Sequence, residues 1–247
     1  MLVTRKAILI GAPSVKPELP GVVKDINDIK DFLLSNKGGA WRNDEIVILV
    51  DKPLAYINYI ISLEKNTDYV FITCSGHGEH RVGAQYDLGD TVMYLNENDT
   101  IAIDSVNPKN KRHLVVVDVC RTLVRVKNAL ESFSESARVT LDYAQQTINY
   151  RKVFDDAVML TTEGRIVTYS CEINQAAGDD GNGGVFTQAL LDSVGKFRKN
   201  NNYLYRIVNI GDAFEVAKSE TYRKNSPQSP VLNAGRRRDF FPFAIVT

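Results

Sequence analysis

Two short polar stretches of this sequence hold side chains that can act together in catalysis. They are Ser75–Glu79, which contains His77, and Asp118–Thr122, which contains Cys120. A cysteine thiol becomes a strong nucleophile when a neighbouring base takes its proton, and the histidine imidazole titrates near neutral pH. A thiol and an imidazole are therefore the minimal equipment for acyl transfer from a peptide.

The residues before each stretch predict where it lies in the fold. Apolar runs rich in β-branched residues, Tyr69–Cys74 and His113–Val117, come directly before the two stretches. Such runs are too short for helices and predict strands that are buried on both faces, as in parallel sheets. Ligands of open α/β sheets bind outside the carboxyl ends of the strands, so we expect His77 and Cys120 at a ligand crevice.

The rest of the chain alternates predicted strands and helices. Further strands are predicted at Lys6–Ile10, Glu45–Val50, Arg165–Ser170 and Phe240–Val246, the last as an edge strand because it contains a proline. Helices are predicted at Pro20–Leu34, Pro53–Lys65, Arg151–Val158, Val185–Leu191 and Gly211–Lys224. This alternation predicts an α/β fold with a largely parallel sheet covered on both faces, in a single domain of residues 1–247.

Three segments without a clear period are interpreted as loops. Gly78–Asn110 is polar and irregular apart from a small surface strand at Thr91–Leu95, and part of Val124–Thr147 is predicted to be a flexible loop. Asn174–Gly184 is rich in glycine but lacks the Gly-Lys-Ser/Thr ending of a phosphate-binding loop. We interpret it as a mobile wall of the cleft.

The catalytic interpretation of Cys120 competes with a simpler one, since a free cysteine is most often a small buried hydrophobe. Its place just past a strand, followed by Arg121, offers exposure and a positive neighbour. His77 also favours catalysis, because it lies between glycines that let the backbone turn and a substrate approach. The amide N–H groups of Gly78 and Cys120 are then candidates for an oxyanion hole.

The other histidines and cysteines are weaker candidates. His80 is expected to be solvated, and His113 is expected to be a partly buried polar cap at a strand start. Cys74 is expected to pack in the core, and Cys171 ends a strand where it can line the cleft. None of them has metal-ligand spacing such as Cys-x-x-Cys or His-x-x-x-His, so no metal site is predicted.

Composition bears on the class of protein. The 247 residues are 44% hydrophobic and 24% charged, which is sufficient for a buried core. Basic and acidic residues number 30 each, a balance that argues against a nucleic-acid or anionic-membrane surface. No apolar run approaches the ~20 residues of a membrane span, and three cysteines without framework spacing fit a reducing compartment. We therefore expect a cytoplasmic protein.

Taken together, the two polar stretches resemble the caspase and metacaspase superfamily of cysteine peptidases, in its bacterial branch. The resemblance rests on Ser75–Gly78 and Asp118–Arg121, with Cys120 43 positions after His77; the caspase signature has about 50. The family's first-helix motif, fifth strand and following helix are resembled by Leu19–Asp25, Tyr169–Cys171, Gln175–Ala177 and Gly184–Thr187. The resemblance implies a three-layer α/β/α sandwich with a six-stranded sheet, His77 as general base and acid, and Cys120 as nucleophile.

The same resemblance predicts a basic P1 residue, the substrate residue before the scissile bond. Asp118 stands where caspases have a glutamine that helps hold an acidic P1 side chain. Asp25 matches the second acidic position of the metacaspase S1 pocket, and Ser75 matches a polar wall. A partly desolvated carboxylate attracts a cation and repels an anion, so these residues favour cleavage after Arg or Lys. Taken alone, Asp25 is explained equally well as a solvated helix residue.

Two features depart from the family pattern. Calcium-dependent metacaspases have an aspartate cluster, part of it shortly after the catalytic cysteine, whereas Val124–Lys127 is basic. Asp87, Asp90 and Asp99 lie in the polar segment without a ligand pattern, so no calcium or other cofactor is expected. Thr122 replaces the glycine that follows Cys-Arg in caspases.

Two functions stay open on the sequence alone. The first is an endopeptidase for peptide or protein substrates, which by analogy with bacterial relatives is a defence effector with a co-encoded partner. The second is a catalytically silent interaction module, while a flavodoxin-like nucleotide domain is disfavoured by the missing phosphate loop. Under the first hypothesis, basic self-cleavage points are present at Arg125, Lys127, Arg138 and Arg151.

Overall fold

A six-stranded sheet forms the centre of the computed structural model, which describes residues 3–83, 86–124, 148–179, 183–224 and 227–247. Numbered in chain order, its strands are β1 (Arg5–Ala12), β2 (Ile46–Val50), β3 (Tyr69–Gly76), β7 (Arg112–Asp118), β9 (Gly164–Tyr169) and β11 (Val231–Asn233). Their spatial order is β11-β9-β7-β3-β1-β2. All pairings are parallel except that of β11 with β9. The predicted largely parallel, six-stranded sheet is confirmed.

Layers on both faces bury this sheet. The helices are α1 (Pro20–Leu34), α2 (Leu54–Leu63), α3 (Tyr150–Leu160), α4 (Val185–Ser193) and α5 (Ile210–Arg223). Apolar residues of α1, α3, α4 and α5 form one core with the sheet, and α2 contributes to the core on the other face. Every residue of β3 and β7 is buried, as their continuous apolar runs predict.

Local sequence signals account for where the helices begin. Pro20 occupies the start of α1, where the missing N–H of proline removes no intrahelical hydrogen bond. The Asn149 side chain accepts a hydrogen bond from the first turn of α3, and Asn209 does the same for α5. No helix in the described ranges is long and apolar enough to cross a membrane.

The irregular structure predicted for most of Gly78–Asn110 is wrong, whereas a strand is present over most of Thr91–Leu95, as predicted. This segment contains β4 (Gly78–Gly83), β5 (Tyr86–Tyr94) and β6 (Thr100–Ala102), and with β8 (Leu123–Val124) they form a second sheet of order β6-β5-β4-β8. Met93 and Ile101 from this sheet join the core on the α2 side. Charged residues such as Glu79, Arg81 and Asp90 lie among the apolar residues of its strands, so the segment has the mean composition of a loop.

The predicted C-terminal edge strand does not belong to the main sheet. β12 (Pro242–Val246) pairs antiparallel with β10 (Arg206–Asn209) in a separate two-stranded sheet. The edge of the main sheet is instead β11, a three-residue strand that the sequence did not predict. A strand this short gives almost no periodic signal. The flexible loop predicted within 124–147 falls almost wholly on residues 125–147, outside the described residues.

Candidate active site

The two polar stretches meet at the carboxyl ends of neighbouring strands, as predicted. β3 and β7 pair in parallel, and the last pair in register is Ser75 with Asp118. His77 and Cys120 each follow two residues later in their own chain segments. Both side chains are partly exposed, whereas the strands that lead to them are buried.

A close approach of three chain segments fixes the backbone around His77. The His77 carbonyl accepts a hydrogen bond of 2.9 Å from the N–H of Tyr94 in β5. At the next residue, Gly78, a Cβ atom would lie 2.6 Å from the Val92 carbonyl oxygen and 2.8 Å from Val119. Only glycine fits between the second sheet and the end of β7 at this position.

The His77 ring contacts a backbone carbonyl that sequence analysis did not identify. Its Nε2 atom lies 2.6 Å from the Pro17 carbonyl oxygen. A carbonyl only accepts hydrogen bonds, so Nε2 carries the proton and donates it to Pro17. In the neutral ring, Nδ1 then holds the lone pair that is required of a base.

The Cys120 thiol is held by the backbone of Ala177. The Ala177 N–H donates to Sγ over 3.3 Å, and Sγ donates to the Ala177 carbonyl oxygen over 3.7 Å. Burial raises the pKa of the Cys120 thiol, the Ala177 N–H lowers it, and the negative charge of Asp118 raises it. Because the net shift is upward, the resting thiol is protonated at neutral pH and needs a base to become a nucleophile.

Arg121 does not supply the positive neighbour that the sequence suggested for the thiol. Its buried guanidinium donates to Thr91 Oγ1 and to the Cys171 carbonyl oxygen, each over 3.0 Å. It also lies over the Tyr169 ring, with 4.1 Å from Cζ to the ring centroid. Arg121 therefore ties the strand end behind Cys120 to β5 and β9, which is a structural role.

The three predicted S1 residues lie together. Asp25, on the inner face of α1, is only 1% exposed, so the solvated-helix interpretation is wrong. Its Oδ2 atom accepts a hydrogen bond of 3.4 Å from Ser75 Oγ. Asp25 also accepts from the Gly184 N–H over 2.9 Å and from Gln188 Nε2 over 2.9 Å.

Asp118, which ends β7, lies at the amino end of α4. Its Oδ2 atom accepts from the Thr187 N–H over 3.1 Å and from Thr187 Oγ1 over 2.6 Å. The first N–H groups of a helix have no partner within the helix, and the helix dipole is positive at this end. α4 thus stabilises the Asp118 carboxylate without a cationic side chain.

Electrostatics set these two carboxylates apart from the acidic residues on the surface. Burial, then the charges of Asp118 and Asp179, raises the pKa of Asp25 well above its usual range. Burial and Asp179 also raise the pKa of Asp118, against the hydrogen bonds from Thr187. Within the described ranges, no Lys or Arg forms an ion pair with Asp25 or Asp118. Asp25 and Asp118 thus form a buried anionic pair that has no Lys or Arg counterion among the described residues.

Several contributors to this site escaped the sequence interpretation. Asp179 is half-buried, packs against Gly21 of α1, and lies on the wall that the sequence identified only by its glycines. Pro17 and Ala177 act through backbone atoms, which have no residue-type signal. Thr187 and Gln188 were seen only as part of a helix. The sequence feature that came closest to identifying Thr187 and Gln188 was the family motif Gly184–Thr187.

The remaining histidines and cysteines are structural. His80 is buried and its Nδ1 lies 3.1 Å from Thr91 Oγ1, so the prediction that it is solvated is wrong. His113 is buried inside β7, where burial lowers its pKa to about 4, so it is not a polar cap. Cys74 packs in the core as predicted, and Cys171 is fully buried and does not line the cleft.

Two further expectations concern metals and self-cleavage. In the part of the chain that the structure describes, no group of three or more His, Cys, Asp or Glu side chains is arranged to hold a metal ion. Arg125, Lys127 and Arg138 lie outside the described residues. Arg151 lies in the first turn of α3 and donates to Glu45 over 2.8 Å, so it is not presented as an extended cleavage site.

Comparison with known proteins identifies the class to which this fold and site belong. The profile of the caspase domain family of C14 peptidases matches residues 4–241, so the chain belongs to that family. The predicted membership of the caspase and metacaspase superfamily is confirmed. The family supports a cysteine peptidase in general terms.

Individual relatives are distant. Metacaspase-1 of Eremothecium gossypii is 26% identical over 163 residues, which are 58% of this chain and 34% of that protein. The chain thus spans about a third of the length of this relative. In fold, the chain resembles caspase-1 of Spodoptera frugiperda with a TM-score of 0.57 and 12% identity, covering 94% of this chain and 87% of that one. Protein GSU0716 of Geobacter sulfurreducens gives 0.58 and 16%, with 99% and 100% covered.

Proposed function

We propose that this protein is a cysteine endopeptidase that cleaves after Arg or Lys, with Cys120 as nucleophile and His77 as general base and acid. The observation that carries the specificity is the pair of buried carboxylates, Asp25 and Asp118, which have no counterion in the described structure. Asp118 and Ser75 pair in register two residues before the proposed dyad, and Ser75 donates a hydrogen bond to Asp25.

The hydrogen bond from His77 Nε2 to Pro17 supports Nδ1 as the atom that acts as the base in the proposed reaction. Nδ1 of His77 takes the proton of the Cys120 thiol, and the thiolate attacks the carbonyl carbon of the scissile peptide bond. The N–H groups of Gly78 and Cys120 are the candidate donors to the oxyanion of the tetrahedral intermediate. His77 then returns the proton to the leaving amine, and water hydrolyses the thioester to regenerate the thiol.

The buried acids select the P1 residue by charge. A P1 guanidinium or ammonium group that binds beside Asp25 and Asp118 supplies a counterion, and it stabilises the ionised form of both carboxylates. Asp179 adds a third negative charge, since its field reaches both Asp25 and Asp118. An acidic P1 side chain would meet repulsion from the same groups.

Fluorogenic peptides that differ only at P1, with Arg, Lys or Asp, test this proposal. We expect turnover of the Arg and Lys peptides by the wild type and none by Cys120→Ala. Cys74→Ala is the matched control, because it removes a buried thiol from β3 and leaves Cys120 in place. Equal turnover by wild type and Cys120→Ala would refute the nucleophile, and a preference for Asp would refute the pocket.

A second candidate, a catalytically silent interaction module, is favoured by one observation. The Cys120 thiol is bracketed by both backbone groups of Ala177 and its pKa is raised. A peptidyl chloromethyl ketone with Arg at P1 separates the two candidates, because it alkylates a thiol that is accessible and activated. Intact mass spectrometry should show one added peptide on the wild type and none on Cys120→Ala; an unmodified wild type would favour the silent module.

The biological setting is proposed from the sequence and the family resemblance alone. A defence role with a co-encoded partner, a cytoplasmic location and independence of calcium stand as predictions from the sequence and the family resemblance.

A further inference from the structure

A second cleft lies at the opposite end of α4 from the S1 pocket. Thr187, in the first turn of α4, contacts Asp118, whereas the chain that follows the last turn of α4 leads into this cleft. Its volume is about 530 Å³. The residues that line it are Arg198, Lys199, Asn200, Tyr203, Tyr205 and Arg206.

Two of the three cations are held in place by the fold. Arg206 begins β10, where it pairs with Val246 of β12, and its guanidinium lies 4.9 Å from the centroid of the Phe197 ring. Nη1 of Arg198 donates to the carbonyl oxygens of Gly195 over 2.6 Å and Phe197 over 2.9 Å. Such fixed guanidinium groups bind an anion with less loss of conformational entropy than free side chains do.

The positive charge of the cleft is only weakly compensated. The nearest acid to a lining cation is Asp212, whose Oδ2 is 3.9 Å from Nη2 of Arg206. Lys199 forms no ion pair or hydrogen bond with any residue that the structure describes. In a chain with equal numbers of acidic and basic residues, this is a local surplus of positive charge.

Exposed rings border these cations. Tyr203 is 66% exposed and Tyr205 is 36% exposed, and both line the cleft. Aromatic faces that stay open to water beside cations are suited to stacking with a planar, electron-rich group. Asn200 adds an amide that both donates and accepts hydrogen bonds.

We propose that this cleft binds a nucleoside polyphosphate. Three cations match the charge of a polyphosphate chain through charge-assisted hydrogen bonds. The tyrosine rings match the face of a base, and the Asn200 amide matches a base edge. The open cleft, of about 530 Å³, has room for a ligand of this size on the protein surface. The site is separate from the proposed peptidase centre, so either assignment can fail without the other.

Isothermal titration calorimetry of the full chain with ATP, adenosine and tripolyphosphate tests the proposal. We expect saturable 1:1 binding of ATP, with adenosine and tripolyphosphate each at least about tenfold weaker, because each lacks one half of the recognition. Arg206→Gln and Lys199→Gln should each weaken ATP binding about tenfold, since each removes a charged contact to phosphate. Tyr203→Ser should weaken ATP binding and leave tripolyphosphate binding unchanged.

Lys65→Gln is the matched control, because it removes an exposed lysine next to α2, on the other face of the sheet, and should bind ATP like the wild type. Circular dichroism of every variant checks that it is folded. The proposal is overturned if ATP does not bind, or if the folded Arg206→Gln variant binds ATP like the wild type. Tighter binding of a polyglutamate peptide than of ATP would also overturn it and would assign the cleft to an acidic protein segment.

Discussion

At the scale of single residues, the burial of Asp25 is unfavourable for its negative charge. A carboxylate that is 1% exposed, with Asp118 and Asp179 nearby and no described counterion, is unfavourable in its charged form. The raised pKa of Asp25 expresses this cost. Such a residue is hard to explain by stability and is readily explained by a cationic P1 side chain.

The raised pKa gives Asp25→Asn opposite effects on activity and stability. An Asp with a raised folded pKa loses its proton first in the unfolded state, so the wild type loses stability as pH rises above the ordinary Asp range towards the folded pKa. Asp25→Asn should remove this loss and unfold at a higher temperature than the wild type at pH 8. Its kcat/KM for a P1 Arg peptide should fall about tenfold or more, because a charged contact is lost.

Thermal unfolding curves and peptide kinetics over a pH series measure both effects. Asp192→Asn is the control, since it removes an exposed carboxylate from α4 and should change neither quantity. If Asp25→Asn were less stable than the wild type at pH 8, or cleaved the Arg peptide equally well, Asp25 would have a structural role only.

At the scale of elements, the site is assembled where β3, β7 and the β4–β5 hairpin meet. The register of β3 against β7 pairs Ser75 with Asp118, two residues before His77 and Cys120, and the hairpin packs against both strand ends. Gly78 is the point of closest approach. The position of the candidate oxyanion-hole N–H therefore depends on a contact between the two sheets.

Gly78→Ala tests this contact. A Cβ at residue 78 would clash with the Val92 carbonyl oxygen and with Val119, and neither is the end of a flexible side chain. We expect a loss of about 1–3 kcal/mol in the free energy of unfolding, from overpacking, and a fall in kcat for peptide hydrolysis. Chemical denaturation and peptide assays give the two values.

The comparison variant is Gly195→Ala, at a glycine whose added Cβ would have no atom within 4 Å. It should differ from the wild type by no more than about 0.5 kcal/mol, as for ordinary surface substitutions. Equal stability and activity of the two alanine variants would show that the sheets tolerate a wider separation than the structure indicates.

At the scale of the whole molecule, a buried ionic cluster joins the amino end of β1 in the main sheet to α3 and to the segment before β2. Arg5 at the start of β1 forms ion pairs with Asp155 of α3 over 3.3 Å and with Glu45 over 3.7 Å. Its guanidinium also lies 4.5 Å from the centroid of the Trp41 ring. Burial lowers the pKa of Arg5 to about 10, so Arg5 stays charged at neutral pH.

Arg5→Met should destabilise the protein by about 3 kcal/mol, because Glu45 and Asp155 lose one of their guanidinium partners and keep the other, Arg151. Lys6→Met is the control, because the Lys6 ammonium donates a hydrogen bond of 3.1 Å to the Asp44 carbonyl oxygen at the surface and forms no ion pair with a described residue. Urea denaturation at pH 7 measures both variants. A loss for Arg5→Met no larger than that for Lys6→Met would show that the cluster does not stabilise the fold.

The sequence by itself determined the parallel strands and the two residues at their ends. Continuous apolar runs are local signals, and they predicted β3 and β7 because a strand buried on both faces needs no partner-specific pattern. The glycines around His77 and the acidic residue before Cys120 are also signals within a few residues of the site, and they were sufficient for the family resemblance. The second sheet was missed because charged residues such as Glu79, Arg81 and Asp90 interrupt the apolar residues of its strands.

Only the tertiary structure decided how the candidate site is completed. Asp25 and Gly184, joined by a hydrogen bond, are 159 positions apart in the sequence, and His77 is 60 positions from Pro17. Contacts over such separations follow from the packing of helices and loops on the sheet. Several use backbone N–H and carbonyl groups, which every non-proline residue has, so no residue type marks them. His77 and Cys120 could be predicted because residue type and local sequence context identify reactive side chains. The groups that orient and surround them come from distant parts of the chain, and the fold brings them together.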